Sequence, residues 1–395
     1  SPNAIAEFYF NNLTEISILD PTCGSGAFLF AALNILYDLY EICLDKMAEM
    51  SGPKTREFRE ELQRVADHSN EEYFIYKRII LNNLFGVDIM EEAVEICKLR
   101  LFLKLVAQVD DVNRIEPLPD IDFNIKAGNT LIGYTTEQEI RDIKSKEFDF
   151  VFEGEEDILN KIKEYARALS LFRELNMNND KSSKLRSAKK SLKEKLKETR
   201  KLADKDLSIR YGVKVGKAKE LDAWKKSQQP FHWVIEFYDI ISNGGFDVII
   251  GNPPYIEYSK VKSEYTLTDC KTESCGNIYA FTVERSFSIA KAYGYIGLII
   301  PLSIMSTKRM EPLQKQLSDS KQLSWLSAFD VYPCKLFEGA KQRLTILISH
   351  IKCDEHSIFT TKYNRWKPEE REALFNNLSY FPSYYYKHLS VVPKI

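Results

Sequence analysis

FDVIIGNPPYIE, residues 246–257, is the stretch from which the rest of this 395-residue chain can be read. Residues 246–250 make the short apolar-rich run of a buried strand, and Gly251 ends it. Asn252, Pro253, Pro254 and Tyr255 then form a turn whose prolines fix the backbone, and Pro254 has no N–H. The Asn252 side-chain oxygen and the Pro253 carbonyl are left as a pair of acceptors that can face one planar NH2 group. An amine conjugated to a ring is a poor nucleophile because its lone pair is delocalised. Two hydrogen bonds favour the pyramidal geometry that frees the pair for attack, and Tyr255 can lie flat on the ring that carries the amine. Asn-Pro-Pro also makes a serviceable loop with no chemistry in it, so the chemical reading depends on what stands elsewhere in the chain.

Upstream, ILDPTCGSGAF places a strand candidate at residues 16–19 that closes on Asp20. Gly24 and Gly26 allow close backbone approach, and a helix-length apolar segment, residues 27–47, aims its free N–H groups at the same place. The spacing fits neither a phosphate loop nor a dinucleotide fingerprint, which leaves a small polar ligand or a turn used only for packing. In GVDIMEEA, Asp88 ends a run at residues 79–88 read as a strand. It could accept hydrogen bonds from two ribose hydroxyls or cap the following helix with Glu91 three residues on, and the two roles are compatible. In KAGNTLIG, Asn129 follows an alternating stretch at residues 121–125 and could read an adenine edge or merely close a turn. Helix patterns at 91–106 and near 278–292, and strand runs at 295–300 and 344–351, complete the alternation. That order implies a mostly parallel sheet with helices on both faces, whose ligands sit beyond the carboxyl ends of the strands.

Composition limits the classes. With 44% hydrophobic and 28% charged residues, 16 Gly and 14 Pro, the chain is not collagenous, mucin-like or wholly disordered. No uninterrupted apolar run approaches the roughly 18 residues of a membrane span, and SPNAIAEFYF lacks the pattern of an export signal, so a cytoplasmic protein is expected. Seven cysteines point to reduced thiols, and Cys270, Cys275 and the distant His232 make a weak zinc set, so no metal is expected. The net charge of -2 conceals a division. Residues 181–226 hold 17 Lys/Arg against 6 Asp/Glu, about +11, and leave about -13 for the remainder. Residues 155–226 read as a helical insertion, either a hairpin kept soluble by its lysines or a surface for phosphates. Tyr380, Tyr384, Tyr385 and Tyr386 could stack on bases or pack a helix.

Taken together, these motifs resemble the S-adenosylmethionine-dependent amino-group methyltransferases, and within them the DNA adenine-N6 type whose cofactor motifs precede the catalytic one. The likeness extends to PFHWVIEFYDII (230–241), NIYAFTVERSF (277–287), GYIGLIIP (294–301) and LFEGAKQRLTIL (336–347), nearly everything outside the basic insertion. It is similar above all to the methylase parts of type IIG restriction-modification enzymes and related phage-defence methylases. The resemblance implies a class I, Rossmann-like α/β fold with a sheet of seven strands and S-adenosylmethionine as cofactor. It places Asp20 near the methionine amino group, Pro21, Thr22, Cys23, Gly24 and Gly26 around the methionine and ribose, Asp88 and Ile89 at the ribose, and Asn129 on the adenine. Of the family's opening motif only Ser1 and Pro2 remain, so Pro2 is a cofactor candidate and the chain is expected to have been cut from something longer. Aligning Asn277 and Glu284 puts Thr282 where the family commonly has a base-stacking aromatic; Phe281 or Tyr279 could supply one, or both could be core.

The implied activity is site-specific methylation of adenine N6 in double-stranded DNA with the base flipped out of the stack. The expected organisation is a cofactor half at 1–154, the insertion at 155–229, a catalytic half at 230–352, and at 353–395 the start of a linker towards a target-recognition region outside the chain. No nuclease core is apparent ahead of the glycine turn. Two other readings stay open: methylation of a protein glutamine amide or an RNA base amine, and a non-catalytic cofactor-sensing or scaffold module.

Overall fold

The structure, a computed structural model, describes residues 1–50, 55–109, 119–142, 154–177, 183–214, 216–268, 270–305, 307–319, 322–351 and 357–382. It divides into two compact units. The first is Ser1–Asn129, Gly133–Leu221 and Pro230–Ser242; the second is Thr130–Ile132, Asp222–Gln229 and Asn243–Ile395.

The first unit is built on three short parallel strands, β1 (Ile18–Asp20), β2 (Leu84–Asp88) and β3 (Ile125–Ala127). Apart from Asp88 and Ala127 at the strand ends, every strand residue is buried, as expected of parallel strands covered on both faces. Around them run α1 (Pro2–Phe8), α2 (Ala27–Met50), α3 (Glu71–Asn82) and α4 (Glu91–Val106). By length and apolarity alone α2 could cross a membrane; here it buries Leu29, Leu33, Tyr40 and Met47 against the unit's own core.

Two strand expectations shift. Residues 79–82 are the last turn of α3, which starts at the Asn70 cap, where Oδ1 accepts from Tyr73 N at 2.7 Å. A short apolar run does not distinguish a buried helix end from a buried strand. Residues 121–124 form a turn closed by Asn124 N on Ile121 O at 3.0 Å, so β3 starts only at Ile125.

The insertion supplies α5 (Gly154–Met177) and α6 (Ser183–Arg210), which lie along one another with ion pairs Lys195–Glu164 at 3.1 Å and Lys161–Glu198 at 3.4 Å. A buried charge cluster fastens α6. Glu236, 1% exposed, takes Lys126 Nζ at 2.9 Å and both Nε and Nη2 of Arg200. Burial pushes the Glu236 carboxyl up, but Arg200 and Lys126 outweigh it and hold the group below the usual range. Asp204 on α6 meets His232 Nε2 at 3.1 Å. Glu236→Ala strands the buried Lys126 ammonium, leaves the part-exposed Arg200 unpaired, and should destabilise the fold by about 3–5 kcal/mol. Thermal unfolding at neutral pH checks this, and an unchanged midpoint would make the cluster dispensable.

The second unit carries β4 (Phe246–Gly251), α7 (Ile278–Ile289), β5 (Ala290–Pro301), β6 (Gln322–Phe329), β7 (Leu344–Ile351), β8 (Ser357–Thr361) and β9 (Tyr380–Pro382). β4 and β5 are parallel, β5–β7 and β7–β6 antiparallel, β6–β8 parallel and β8–β9 antiparallel. Gly245 (φ +117°) starts β4 where an added Cβ would stand 2.4 Å from Ile289 O. The described strands number nine rather than seven. β6 carries no plain apolar signal because its buried serines are paired: Ser324 Oγ with Ser349 Oγ at 2.8 Å, Ser327 Oγ with Tyr380 Oη at 2.7 Å. β8 and β9 occupy the stretch expected to open a linker, and Tyr380 packs as a strand residue. Tyr384, Tyr385 and Tyr386 lie outside the described residues.

Candidate active site

In the first unit, Asp20 ends β1, Asp88 ends β2 and Asn129 follows β3 by two residues, so all three lie at the carboxyl edge of the parallel strands. Between β1 and α2 the chain makes a tight turn. Thr22 N donates to Asp20 Oδ1 at 3.0 Å, Cys23 N to Val87 O at 2.9 Å, Gly24 N to Asp88 Oδ2 at 2.8 Å and Gly26 N to Cys23 O at 2.8 Å. Gly24 (φ +50°) opens on free space, whereas a Cβ at Gly26 (φ +86°) would stand 2.6 Å from Cys97 Sγ. The first glycine leaves room and the second is required by packing. Pro21 and Cys23 are buried, and the Thr22 hydroxyl is buried with no hydrogen-bond partner among the described residues.

Asp20 is the unusual group. It is 1% exposed, and no basic side chain lies within ion-pairing reach of it among the described residues. Burial, partly countered by the Thr22 N–H and reinforced by the charge of Asp88, pushes its pKa up to about 7. Asp88 does not form the expected capping box. The helix cap is Met90, and Asp88 braces the turns on either side, Oδ1 accepting from Met90 N at 2.9 Å and Oδ2 from Gly24 N. A two-residue offset in helix start decides this, and spacing alone did not reveal it. Ile89 is 38% exposed beside Asp88, Asn129 is buried, and Pro2 is exposed in the first turn of α1.

In the second unit, Asn252, Pro253, Pro254 and Tyr255 leave the carboxyl end of β4 as an extended segment with Pro253 buried. Tyr255 is not free to swing. Its hydroxyl lies between Asn252 Oδ1 and Ile299 O, the latter at 2.9 Å, and its ring packs on the cluster of Phe329, Leu336, Leu344 and Trp366. One phenolic proton serves two acceptors, so the Asn252 oxygen keeps accepting capacity. Burial raises the Tyr255 hydroxyl's pKa and keeps it protonated. The next residues are clamped. Tyr258 N donates to Gly276 O and Ile278 N to Ile256 O, both at 2.9 Å, while Arg309 Nη2 bridges Glu257 Oε2 (2.7 Å) and Gly276 O (3.0 Å). Glu284 fixes the loop before α7 by accepting from Thr272 N at 2.8 Å and Lys271 N at 3.0 Å.

Of the two roles open to Phe281 and Tyr279 on α7, base stacking or core, both side chains take the core. Phe281 is 2% exposed and sits edge-on to Tyr258 at 5.4 Å, the Thr282 hydroxyl bonds Ile278 O, and Tyr279 Oη bonds Ser303 Oγ at 2.7 Å. Instead Phe337, half-buried, packs on the same cluster as Tyr255. It lies in LFEGAKQRLTIL, residues 336–347, where nothing in the local pattern marks it out from a core aromatic.

Residues 82–337, more than half of the chain, match the Eco57I restriction-modification methylase family, and residues 3–131 match the MmeI DNA-methyltransferase domain. RM.MjaORFECS2P, assigned as a type II restriction enzyme and methyltransferase in Methanocaldococcus jannaschii, is 31% identical over 399 residues, taking in 88% of this chain and 31% of that protein. The type II restriction enzyme and methyltransferase RM.Eco57I of Escherichia coli is 24% identical over 409 residues, 95% of this chain and 29% of its own. The chain therefore spans about a third of the length of these curated relatives. Among solved structures, the ATP-dependent Type ISP restriction-modification enzyme LlaBIII bound to DNA aligns with 96% of this chain and 20% of that one, at a TM-score of 0.46 and 14% identity.

Proposed function

The chain belongs to the Eco57I restriction-modification methylase family, and from that premise we propose that it transfers a methyl group from S-adenosylmethionine to the N6 amine of adenine in DNA. It would do so in the cytoplasm, as the methylase part of a restriction-modification system. One observation carries this reading: Asn252, Pro253, Pro254 and Tyr255 leave the carboxyl end of β4 directly, and the Tyr255 hydroxyl holds the Asn252 side-chain oxygen.

The residues at the edge of β1–β3 suit the cofactor. A buried carboxylate with no basic partner among the described residues suits the ammonium of a methionine moiety, and that role is assigned to Asp20. The Thr22 hydroxyl offers an unused polar group, and Gly24 leaves a ligand open space. Pro21, Cys23 and Gly26 shape the turn, Asp88 and Ile89 are assigned to the ribose, Asn129 to the adenine and Pro2 to the cofactor's outer edge. The bound cofactor supplies a methyl carbon on a cationic sulfur, so the leaving group needs no acid. Asn252 and Pro253 accept from the target amine and free its lone pair, Pro254 keeps an N–H donor away, and Tyr255 with Phe337 offers aromatic surface to a base swung out of the duplex. Catalysis is then mainly positioning and exclusion of water. Sequence readout is assigned to a target-recognition region outside this chain.

Transfer of labelled methyl from S-adenosylmethionine tests the reading, with unmethylated genomic DNA, RNA and a translation release factor as alternative acceptors. Label in DNA as N6-methyladenine supports it, and label only in RNA or protein overturns it. Asp88→Ala should weaken cofactor binding by about 10–100-fold, from the loss of a charged acceptor that also braces the glycine turn. Calorimetry with S-adenosylmethionine reads this directly, and an unchanged affinity would reduce Asp88 to a turn brace.

A further inference from the structure

The cations of α6 fall into two sets by partner. Four are paired: Lys189 with Asp120 and Asp122, Lys193 with Asp122 at 2.9 Å, Lys195 with Glu164, and Arg200 with Glu236. Burial alone would raise the Asp122 carboxyl, but Lys193, Lys189 and Lys98 overcome it and hold it low, so these pairs stand at neutral pH. Arg186, Lys190, Lys197 and Lys201 follow a different line. All four are exposed, and among the described residues no carboxylate lies within ion-pairing distance of them.

Their spacings of 4, 7 and 4 residues place them within one narrow arc of a helix, with Glu194 the acid on that arc. Over these 15 residues the helix rises about 22 Å. Arg186, Lys190, Lys197, Glu194 and the stems of Lys189 and Lys193 line a shallow depression of about 390 Å³. Arg186 with Lys190, and Lys197 with Lys201, are like charges at i,i+4, an arrangement that costs a helix about 0.2–0.5 kcal/mol per pair. Lysines that served only solubility would do as well interleaved with glutamates. Among the described residues no ion pair relieves the repulsion along this line, and the paired cations tether the helix that carries it.

We propose that this ridge of α6 is a docking surface for the phosphate backbone of duplex DNA. The inference rests on the proposed DNA methylation and adds a place where the substrate is held away from the reacting base. Duplex DNA carries a phosphate for about every 1.7 Å of its axis with both strands counted, so a charged ridge of this length has phosphates to meet along it. The contacts read charge and not sequence.

The test is binding of the whole chain to a 30-base-pair duplex of mixed sequence over a range of salt, with S-adenosylmethionine present. A variant carrying R186Q, K190Q, K197Q and K201Q should lower affinity by on the order of 10²-fold at 0.1 M salt and make the log–log salt slope shallower by about 2 to 4. A control of equal charge change elsewhere, K46Q, R56Q, R59Q and K315Q, should leave the slope within about 1 of the parent. A second variant, R186K, K190R, K197R and K201R, keeps the charge and should keep the slope, which separates electrostatics from misfolding. Equal slopes for the ridge variant and the parent overturn the proposal even where the parent methylates DNA. A slope that drops in the ridge variant alone sustains it even where the parent transfers no methyl, an outcome that would sink the methylase reading and leave the surface standing.

Discussion

Asn252→Ala should lower methyl transfer by on the order of 10³-fold while leaving S-adenosylmethionine affinity within about threefold. The substitution removes one of the two acceptors proposed to hold the amine and little else. Tyr255 keeps its second acceptor, Ile299 O, and the clamp from Ile256 to Ile278 does not involve Asn252, so the turn should persist. Asn252→Asp keeps an acceptor at the same place and should retain more activity than the alanine variant. Single-turnover rates at saturating cofactor, set beside calorimetric affinities, distinguish a lost chemical step from lost binding. Near-normal turnover by Asn252→Ala would remove the catalytic assignment at its centre.

Asp20→Asn should reduce cofactor affinity by on the order of 10²-fold and at the same time make the free protein more stable at pH 8, a pairing that a merely structural aspartate would not give. The folded carboxyl holds its proton until about pH 7, against 3.8 as the ordinary value. Its pKa is raised on folding, so the folded state binds more protons than the unfolded chain between about pH 4 and 7. Stability from this group therefore falls as pH rises through that window and stays low above it. Asparagine keeps an acceptor for Thr22 N and carries no charge, so the loss disappears, a gain of at most a few kcal/mol above pH 7. For the unmodified protein, binding of the cationic cofactor should weaken as pH falls below about 7, where Asp20 becomes protonated. Melting and titration at pH 5.5 and pH 8 check both arms; an asparagine variant that melts lower at pH 8, or binds as the parent does, would refute the role.

The parts of this molecule that were legible in its sequence are those where one physical requirement dominates. β4 followed by Asn252, Pro253 and Pro254 could be read because proline fixes the backbone whatever surrounds it. Residues 91–106 and 344–351 kept their elements because a helical or extended apolar pattern there has no competitor. The glycine turn was legible for a similar reason, since Gly26 has no room for a side chain and Gly24 borders open space. What escaped was settled by partners distant in sequence. β6 looks polar until Ser324 finds Ser349 and Ser327 finds Tyr380. Asp88 does not cap because the helix starts two residues later than the spacing suggests, and its second oxygen is taken by Gly24, 64 residues earlier. Phe281 and Phe337 are equally aromatic in the sequence, and only packing decides that the first is interior and the second half-buried on the cluster that Tyr255 also touches.

The knot of buried Glu236 and Lys126 with part-exposed Arg200, together with Asp204 on His232 and Lys195 on Glu164, stakes α6 along much of its length. A helix so tethered acts as a straightedge and not as a tentacle. A polyanion laid on it meets charges already standing in line, so little chain freedom is surrendered on association. Heat-capacity changes of complex formation should then reflect surface dehydration and dispersal of ions, without the large negative excursion that accompanies a segment folding as it binds.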